Sequence, residues 1–464
     1  MTKTDIHAEE FLRFMSAEQV SLSPAVNAGY ASDWTRSNRN VPGIVLFPKT
    51  TEEVVRVVKY ANQHNLTLIP SGGRTGLTGA VSVLKDEIVL SLEKMNKILE
   101  YDPIDRLVRC EAGTITQEVK NYVNGFEAEI PLDLAARGSS QIGGNIATNA
   151  GGLNVIKYGM VRNWVAGLRV VTGSGEELNL QDNLVKDNSG YNLFQPFIGS
   201  EGTLGIITEV SLRLVPIRAE TRVIAVAFQS IEDAVELFSK LRETQSLNCF
   251  ELFDAASYRL VLSSYSDLKD ILPKNRNFYC VIDFSIFPDW EEYITDTLAG
   301  LRDSEIGETA IVADLDREKK LLWDYREKIA EAVVRKQFYQ TDVSVRISKV
   351  SLFIERLTKA VTDTLPQVEF MWFGHLGDGN IHVIALKPEA LDPADFSIAA
   401  KSFIHIILGL LKDMGGSFSA EHGVGISKKE QFQAMKTPFE KLYHKQLKEI
   451  FDPNKVLNPG KITD

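Results

Sequence analysis

Three glycine-rich segments, each next to an apolar β-like run, constrain this 464-residue chain more than any other feature. They cover residues 69–79, 138–152 and 197–207. Glycine lacks Cβ, so it can adopt positive φ and let successive backbone N–H groups point into a concavity that receives phosphate oxygens. One such segment alone would indicate a tight turn. Three of them indicate loops that converge on one large polyanionic ligand, and therefore a cofactor-binding protein.

The glycine segments do not match the common nucleotide motifs. They lack the Gly-Lys-Ser/Thr ending of a Walker P-loop. Residues 173–178 lack the third glycine of the dinucleotide fingerprint and follow the strand-like residues 168–172, so they predict a hairpin turn.

Charge and cysteine content exclude several classes of protein. With 51 basic and 62 acidic residues the net charge is −11, which repels nucleic acid and anionic membrane surfaces. Cys110, Cys249 and Cys280 are too few and too far apart for a disulfide framework, a zinc ribbon or an iron–sulfur run. We expect buried, reduced thiols in a cytosolic protein.

Targeting signals are not evident in the sequence. The first ten residues are polar and acidic, without the apolar region of an export signal, and they do not indicate a mitochondrial matrix location. No uninterrupted apolar stretch approaches 20 residues. We therefore expect a cytoplasmic protein without a transmembrane segment, with peripheral membrane association left open.

The first half of the chain shows alternating strand and helix patterns. Residues 43–47 predict a strand, and residues 50–53 predict a capping box that opens a helix. The expected buried face of that helix comprises Val54, Val55, Val58 and Ala61. A second strand at residues 66–69 leads directly into the first glycine segment.

Beyond Pro216 the pattern changes. Proline is expected to end a strand and the first domain there. Helical patterns at residues 231–241 and 319–334 then indicate a mixed α+β unit. We assign residues 1–216 to the first domain, 217–420 to a second domain and 421–464 to a segment that packs back on the ligand site.

Histidines form the second informative group. Residues 368–375 and 381–386 predict the two strands of a hairpin, which brings His375 and His382 to one end. Farther on, Glu421 and His422 stand side by side before another glycine turn. Two histidines and a carboxylate suit a catalytic Zn²⁺ or a similar divalent cation. Hydrogen-bonded histidines at a sheet edge are the alternative.

These motifs together resemble one family. The glycine segments, residues 186–191, 375–382 and 421–423, and the final motif 452–461 are similar to flavoproteins of the vanillyl-alcohol-oxidase fold. Within that fold the chain resembles the FAD-dependent D-2-hydroxy acid dehydrogenases, which act on D-2-hydroxyglutarate, D-lactate or glycolate. The resemblance implies an α+β protein. Its PCMH-type FAD-binding domain would comprise two α/β subdomains, followed by an α+β substrate (cap) domain with an antiparallel sheet.

The resemblance also implies where FAD binds. Some relatives attach FAD through a histidine in the first glycine segment, but Arg74 stands there, so the flavin should be noncovalent. The implied FAD contacts are Pro70, Ser71, Gly72, Gly73, Arg74, Thr75, Gly76, Thr78, Gly79, Pro131, Asp133, Gly138, Ser139, Gly143, Gly144, Asn149, Gly151, Gly152, Glu201, Gly202, Gly205, Ile206, Ile207 and Asn458.

The family's catalytic residues carry over to five positions. The metal ligands fall on His375, His382 and Glu421, and His422 becomes the general base. A metal-bound α-hydroxyl loses its proton more easily, His422 accepts that proton, and the α-hydrogen passes as hydride to flavin N5. Arg326 matches the arginine that binds the substrate carboxylate. Without the resemblance, a surface arginine paired with Glu327 or Asp324 would be the prediction.

Substrate choice is predicted from departures from the family pattern. Ala330, Thr341 and Ile384 replace residues typical of the 2-hydroxyglutarate branch, while Arg346 replaces a proline of the lactate and glycolate branch. Arg346 either binds a distal carboxylate or lies in solvent. We favour a dicarboxylic substrate such as D-2-hydroxyglutarate or D-malate, with D-lactate or glycolate as the alternative.

Rival functions and partners complete the prediction. A metal-dependent hydrolase would leave the glycine segments without a function, and a non-catalytic electron-transfer subunit would not need His422 beside Glu421.

The expected partners are a small 2-hydroxy acid and an electron acceptor such as electron-transfer flavoprotein or a quinone. Nucleic acid is not expected as a partner, and a homodimer is one option for assembly.

Overall fold

The chain forms two compact units. The computed structural model describes residues 3–35, 40–217, 220–302 and 305–463. The first unit joins Met1–Gly152, Tyr158–Ile217 and Glu421–Asp464. The second joins Leu153–Lys157 and Arg218–Ala420.

Helices occur throughout the chain. The α-helices are α1 (Lys3–Leu12), α2 (Pro24–Asn27), α3 (Thr51–His64), α4 (Thr116–Asn124), α5 (Ile142–Ala147), α6 (Val155–Tyr158), α7 (Ile231–Arg242), α8 (Ala255–Ser264), α9 (Trp290–Ala299), α10 (Asp316–Val333), α11 (Val350–Thr364), α12 (Pro393–Met414), α13 (Lys429–Met435) and α14 (Pro438–Phe451). Short 3₁₀ helices cover Ala17–Gln19, Ala28–Tyr30, Val161–Asn163, Gln195–Phe197, Ile306–Thr309, Ile347–Lys349 and Leu376–Asp378.

The first unit contains two main sheets. Its strands are β1 (Val20–Ser21), β2 (Val45–Leu46), β3 (Leu68–Ser71), β4 (Ile88–Ser91), β5 (Ile98–Asp102), β6 (Leu107–Glu111), β7 (Ala128–Glu129), β8 (Val165–Thr172), β9 (Glu177–Leu180), β10 (Gly205–Arg213) and β11 (Val215–Pro216). One sheet has the order β1-β2-β4-β3, with β2, β4 and β3 parallel. The other has the antiparallel order β5-β6-β10-β8-β9, and β7 pairs with β11.

The parallel strands are buried on both faces, which explains their continuous apolar sequence. Leu46, Leu68 and Leu90 join a core that also takes side chains from the antiparallel sheet. Their strand neighbours Val45, Ile69 and Val89 form a separate apolar cluster. Hydrogen bonds also tie β3 to residues far along the chain. Leu68 N donates to Val456 O at 2.7 Å, and Asn458 N donates to Leu68 O at 2.9 Å.

The helix predicted after residue 50 is α3. The side-chain oxygen of its N-cap residue, Thr50 Oγ1, accepts a hydrogen bond from Glu53 N at 3.2 Å. The predicted capping box is incomplete, because the Glu53 carboxylate accepts from Lys49 N at 2.6 Å. Val54, Val58 and Ala61 are buried as predicted, but Val57 replaces Val55 on the fully buried face.

Other elements test the predictions made from sequence pattern. The strand predicted at residues 43–47 is wrong in length, since only Val45–Leu46 pairs. The hairpin predicted around residue 173 is confirmed by antiparallel β8 and β9. The helices predicted at 231–241 and 319–334 are confirmed as α7 and α10.

The second unit is built on one antiparallel sheet. Its strands are β12 (Thr221–Phe228), β13 (Leu247–Asp254), β14 (Phe278–Ser285), β15 (Ile311–Ala313), β16 (Phe338–Ser344), β17 (Glu369–His375) and β18 (Asn380–Leu386). They follow the order β15-β12-β14-β13-β17-β18-β16. Side chains of α8 and α10 pack on one sheet face in a shared core. Phe238 of α7 contacts Phe250 of β13, with ring centroids 5.6 Å apart.

Two further predictions from the sequence concern the cysteines and the length of apolar helices. Cys110, Cys249 and Cys280 are all buried, as predicted, and burial raises the pKa of the Cys110 thiol to about 12. Within the described ranges, α12 alone has the length and mean hydropathy (1.5) of a membrane-crossing helix. Asp395 lies in its first turn and Lys412 in its last, and a third of the residues in its apolar window are buried.

Candidate functional site

The first glycine segment leaves the end of β3 and turns sharply. A Cβ on Gly73 would overlap the carbonyl oxygen of Ser139, so the first and second glycine segments approach each other at backbone distance. Gly79 has φ +75°, and its N–H donates to the buried Asp33 carboxylate at 2.7 Å. Glycine is therefore required here by close approach and by positive φ.

Arg74 is held by three neighbours. Its guanidinium lies 4.3 Å from the centre of the Tyr30 ring, 3.9 Å from a Glu93 oxygen, and donates to Gly72 O at 3.2 Å. The Tyr30 hydroxyl donates to Glu93 at 2.8 Å. Burial and this bond to Glu93 raise the pKa of Tyr30 to about 12. Arg74 thus occupies a fixed place in the loop, in the left-handed region at φ 58°.

The second glycine segment continues into the short helix α5. Gly143 N donates to Ala112 O at 2.7 Å, and a Cβ on Gly143 would lie 2.6 Å from Ala112 Cβ. Gly144 has open space within 4 Å of its Cβ position. Gly152 has φ +104°, where a Cβ would overlap the carbonyl oxygen of Asp133. Asn149 Oδ1 accepts from Arg162 N at 3.2 Å.

Two adjoining cavities lie among these segments in the first unit. The smaller, about 80 Å³, is lined by Pro70, Ser71, Gly72, Ala80, Val81, Leu92, Ala112, Gly143, Gly144, Ala147, Thr148, Glu201, Gly202, Gly205, Ile206 and Ile207. The larger, about 290 Å³, is lined by Asp33, Gly72, Gly73, Arg74, Thr75, Gly76, Leu77, Ala80, Val81, Leu134, Ala135, Ala136, Gln141, Gly144, Asn145, Thr148, Ala150, Gly151, Glu421 and His422.

Most, but not all, of the residues predicted to contact FAD line one of the two cavities. Outside both linings are Thr78, Gly79, Pro131, Asp133, Gly138, Ser139, Asn149, Gly152 and Asn458. Several of these support the loops, as Ser139 does beneath Gly73. Direct contact with FAD stays a prediction for the residues that line the cavities and for those outside them.

The cavity walls suit a phosphate-bearing cofactor. Among the described residues, Ser71 Oγ and Gln141 Oε1 are buried polar atoms without a hydrogen-bond partner. Both residues line the cavities. An unpaired buried polar atom is costly, so a bound polar ligand is the simplest partner for each. The glycines supply room for such a ligand. Gln141 lies within the predicted contact range 138–144, whereas Asp33 was not predicted from sequence.

The turn that carries Glu421 and His422 is held by the third glycine segment. The Glu201 carboxylate accepts from Val424 N at 2.6 Å and from Gly425 N at 2.7 Å. Asn458 Nδ2 donates to Glu201 O at 2.6 Å. These bonds fix a turn whose His422 lines the same cavity as the glycine segments. His422 Nε2 lies 3.7 Å from Glu421 Oε1.

The carboxyl group of Glu201 has a raised pKa. Burial raises its pKa to about 7, although the two backbone N–H donors and Lys428 act in the opposite direction. Burial likewise lowers the pKa of Lys461 to about 8. Lys461 Nζ donates to Asn458 Oδ1 at 3.1 Å, so both groups belong to one buried polar cluster.

In the second unit, the predicted histidine hairpin is confirmed. Antiparallel β17 and β18 place the imidazole centroids of His375 and His382 5.6 Å apart. Both side chains are buried, at 9% and 5% exposure, and both strands lie inside the sheet. The predicted position at a sheet edge is therefore wrong, and metal binding by the two histidines stays a prediction.

Each of these histidines faces a buried carboxylate. His375 Nδ1 lies 2.7 Å from Glu251 Oε1, across the β13–β17 pairing. His382 Nδ1 lies 3.5 Å from Asp342 Oδ1, across the β16–β18 pairing. Asp342 also accepts from Asn380 Nδ2 at 2.7 Å and from Ala420 N at 3.0 Å.

Arg326 is buried on α10 and pairs with the same Glu251. Its Nη2 lies 2.8 Å from Glu251 Oε2, and the guanidinium lies 4.5 Å from the Phe373 ring centre. The alternative of a surface arginine is therefore wrong. Burial alone would raise the pKa of Glu251, but the positive charge of Arg326 and the hydrogen bond with His375 hold it below its ordinary value. Arg346, by contrast, has an exposed side chain before Ile347–Lys349.

Two family models together match most of the chain. The model of the FAD binding domain matches residues 42–181, and that of the C-terminal domain of FAD linked oxidases matches residues 217–462. The chain belongs to the FAD-linked oxidases. This FAD-linked oxidase is an oxidoreductase with FAD as its cofactor.

Individual relatives support the same assignment. This FAD-linked oxidase is 37% identical to D-2-hydroxyglutarate dehydrogenase of Stutzerimonas stutzeri (strain A1501), with 93% of each chain covered. It is 38% identical to that of Xanthomonas citri pv. viticola, covering 99% of this chain and 97% of the relative. The solved structure of 4-ethylphenol oxidase from Gulosibacter chungangensis matches with a TM-score of 0.73 at 19% identity. The match covers 100% of this chain and 98% of that oxidase. The PCMH-type fold predicted from sequence is confirmed.

In the second unit, sequence reasoning missed two acidic residues of the site, Glu251 and Asp342. Glu251 is an isolated acid in a mostly apolar strand sequence, whereas Asp342 follows Gln340 and Thr341 in a strand of mixed polarity. For Glu251, an acid among apolar residues at strand spacing was the available signal, because a buried carboxylate requires a partner. The partners themselves lie on strands distant in sequence and could not be assigned from pattern.

Proposed function

We propose that this FAD-linked oxidase oxidises a D-2-hydroxy acid, most specifically D-2-hydroxyglutarate, to the 2-oxo acid. The observation that carries the proposal is the similarity over nearly the whole length of two D-2-hydroxyglutarate dehydrogenases. A metal-dependent hydrolase is disfavoured, because the family models match FAD domains.

FAD would be held noncovalently by the three glycine segments. Arg74 stands in the loop where a tethering histidine would be expected, and it is already engaged by Tyr30 and Glu93. Acid should therefore release the flavin from the polypeptide. When bound, FAD supplies a hydride acceptor for the substrate's α-hydrogen.

A divalent cation, with Zn²⁺ as the first choice, would be held by His375, His382 and Glu421. The donor set fits, because neutral imidazole and carboxylate are ordinary zinc ligands and the Nδ1 atoms of both histidines face carboxylates. Such a cation would make a coordinated α-hydroxyl more acidic.

His422 is proposed to accept the hydroxyl proton. It lines the same cavity as the glycine segments and is 18% exposed, so it can meet a ligand there. Its backbone is held from two directions, by Glu201 through the next residues and by Thr78 Oγ1, which donates to His422 O at 3.4 Å. A positioned base of this kind works best when its geometry is fixed in advance.

Substrate binding is proposed to rest on Arg326 and Arg346. The guanidinium of Arg326 is fixed by Glu251 and Phe373 and still has N–H groups for the α-carboxylate. The exposed Arg346 can bind a second, distal carboxylate. A separate electron acceptor, such as electron-transfer flavoprotein or a quinone, would reoxidise the flavin of this cytoplasmic enzyme.

The test is anaerobic reduction of the bound flavin by D-2-hydroxyglutarate alone. We expect bleaching with the wild type, and a rate roughly 10²–10⁴-fold lower for His422→Ala, the usual contribution of a positioned base. His405→Ala is the matched control, since His405 is exposed on α12 and bonds to Lys401 O.

Three outcomes distinguish the alternatives. Failure of every D-2-hydroxy acid to bleach the flavin would favour a non-catalytic electron-transfer subunit. An unaffected His422→Ala variant would remove the proposed base. Chelation should abolish bleaching while FAD stays bound, and full activity in metal-free protein would contradict the metal.

A further inference from the structure

Glu251 connects two residues of the proposed site. Its side chain is 1% exposed, and its two oxygens bind different partners, Oε1 facing His375 Nδ1 at 2.7 Å and Oε2 facing Arg326 Nη2 at 2.8 Å. Glu251 lies on β13, His375 opposite it on β17, and Arg326 on α10. Three elements of the second unit therefore meet at one carboxylate.

The geometry determines the proton position on His375. A carboxylate paired with a buried guanidinium is ionised and can only accept hydrogen bonds. At 2.7 Å from that carboxylate, His375 Nδ1 must carry the hydrogen and donate it. The lone pair of the neutral ring then lies on Nε2, the atom left to bind a metal.

We propose that Glu251 is a positioning residue that fixes both the ring tautomer of His375 for metal binding and the guanidinium of Arg326. The proposal rests on the proposed function, because it takes His375 as a metal ligand. A carboxylate behind a ligating histidine orients the ring and raises its basicity, and losing it typically lowers metal affinity 10–100-fold.

His382 differs in this respect. Its Nδ1 lies 3.5 Å from Asp342, beyond the usual range for a strong hydrogen bond, and Asp342 is shared with Asn380 and the Ala420 amide. The short contact at His375 therefore identifies Glu251 as the stronger orienting group.

The first test compares zinc affinity, measured by competition with a chelator on the FAD-loaded protein. We expect Glu251→Gln to raise the zinc Kd by roughly 10–100-fold. Asp254→Asn is the matched control, because Asp254 is a buried carboxylate on the same strand that caps α8 through Ser257 N at 2.7 Å. Asparagine caps helices as well as aspartate, so zinc affinity should not change.

A second variant protects the test against misfolding. Glu251→Gln leaves Arg326 as an unpaired buried charge, which can destabilise the unit. The double variant Glu251→Gln/Arg326→Met removes both charges and should show the same loss of zinc affinity. Nitrogen-15 NMR of His375 should show a protonated Nδ1 in the zinc-loaded wild type.

The outcomes separate this inference from the proposed function. Equal zinc affinity in wild type and both variants, or a protonated Nε2 on His375, would overturn the role of Glu251 and leave the metal site standing. No zinc binding by the wild type, with flavin still reduced by substrate, would overturn the metal proposal and this inference together.

Discussion

Arg346 is the residue on which the choice between mono- and dicarboxylic substrates depends. It replaces a proline of the family pattern, and its charged side chain is exposed. If it binds the distal carboxylate, Arg346→Ala should lower kcat/KM for D-2-hydroxyglutarate roughly ten- to a hundredfold, as expected for one charge-assisted hydrogen bond. The kcat/KM for D-lactate should stay unchanged.

Arg317→Ala is the control for this substitution. Arg317 is 81% exposed at the start of α10, and we assign it no role in the site. Equal losses on both substrates, or no loss on either, would remove Arg346 from the substrate site and favour a monocarboxylic acid.

At the residue scale, the sequence predicts which side chains belong to the site better than it predicts which residues those side chains contact. His375 and His382 could be brought together from one hairpin, because only four residues separate β17 from β18. Glu251 could not be assigned to them, because its contact with His375 depends on the order in which distant strands enter the sheet. The burial of Arg326 depends on the same sheet order.

At the scale of elements, the glycine segments perform two tasks that substitution can separate. Gly73 allows two backbones to meet, whereas Gly144 has open space beside it and lines both cavities. The sequence predicted the segments but could not distinguish these tasks, because glycine looks the same in both. Likewise, β2 is short because its pairing with β4 covers only Val45 and Leu46, and the sequence pattern alone does not reveal where that pairing ends.

Gly144→Ala should therefore weaken FAD binding without loss of the fold. Alanine favours the helix α5 by about 0.5–1 kcal/mol, so the flavin-free protein should melt no lower than the wild type. The added methyl group occupies space in the cavities, and we expect the FAD Kd to rise on the order of tenfold, or about 1.4 kcal/mol.

Fluorescence titration of the apoprotein with FAD measures this Kd. Gly409→Ala on α12 is the matched control, since its Cβ also meets no atom within 4 Å and it lines neither cavity. An unchanged Kd for Gly144→Ala would show that the flavin does not approach α5.

At the scale of the whole molecule, the buried Glu201 makes stability depend on pH. Its folded pKa of about 7 lies above the ordinary 4.5. A raised carboxyl pKa contributes stability that is present below the unfolded value and lost as pH rises through the folded one. Between about pH 5 and 7 this amounts to about 3 kcal/mol, since one pKa unit is worth about 1.4 kcal/mol.

Glu201→Gln should flatten this dependence. Glutamine cannot ionise, and its single acceptor oxygen can serve only one of the two backbone N–H donors, so the variant should melt at a lower temperature than the wild type near pH 5. The wild type should nevertheless lose more stability than the variant between pH 5 and pH 7.5. Lys461, with its pKa of about 8, titrates above most of this window. Parallel melting curves for the two holoenzymes across pH 5 to 7.5 would contradict the buried ionisation.

The hydrogen bonds between Leu68 and residues 456–458 also bear on how the protein is made. The edge of β3 stays incomplete until residue 458 has left the ribosome, although β3 itself is synthesised early. The second unit, in contrast, ends at Ala420 and can begin to fold sooner. Contacts of such long sequence separation form late. We therefore expect FAD to bind only after residues 456–458 have joined β3, so a nascent chain halted before residue 458 should lack the yellow colour.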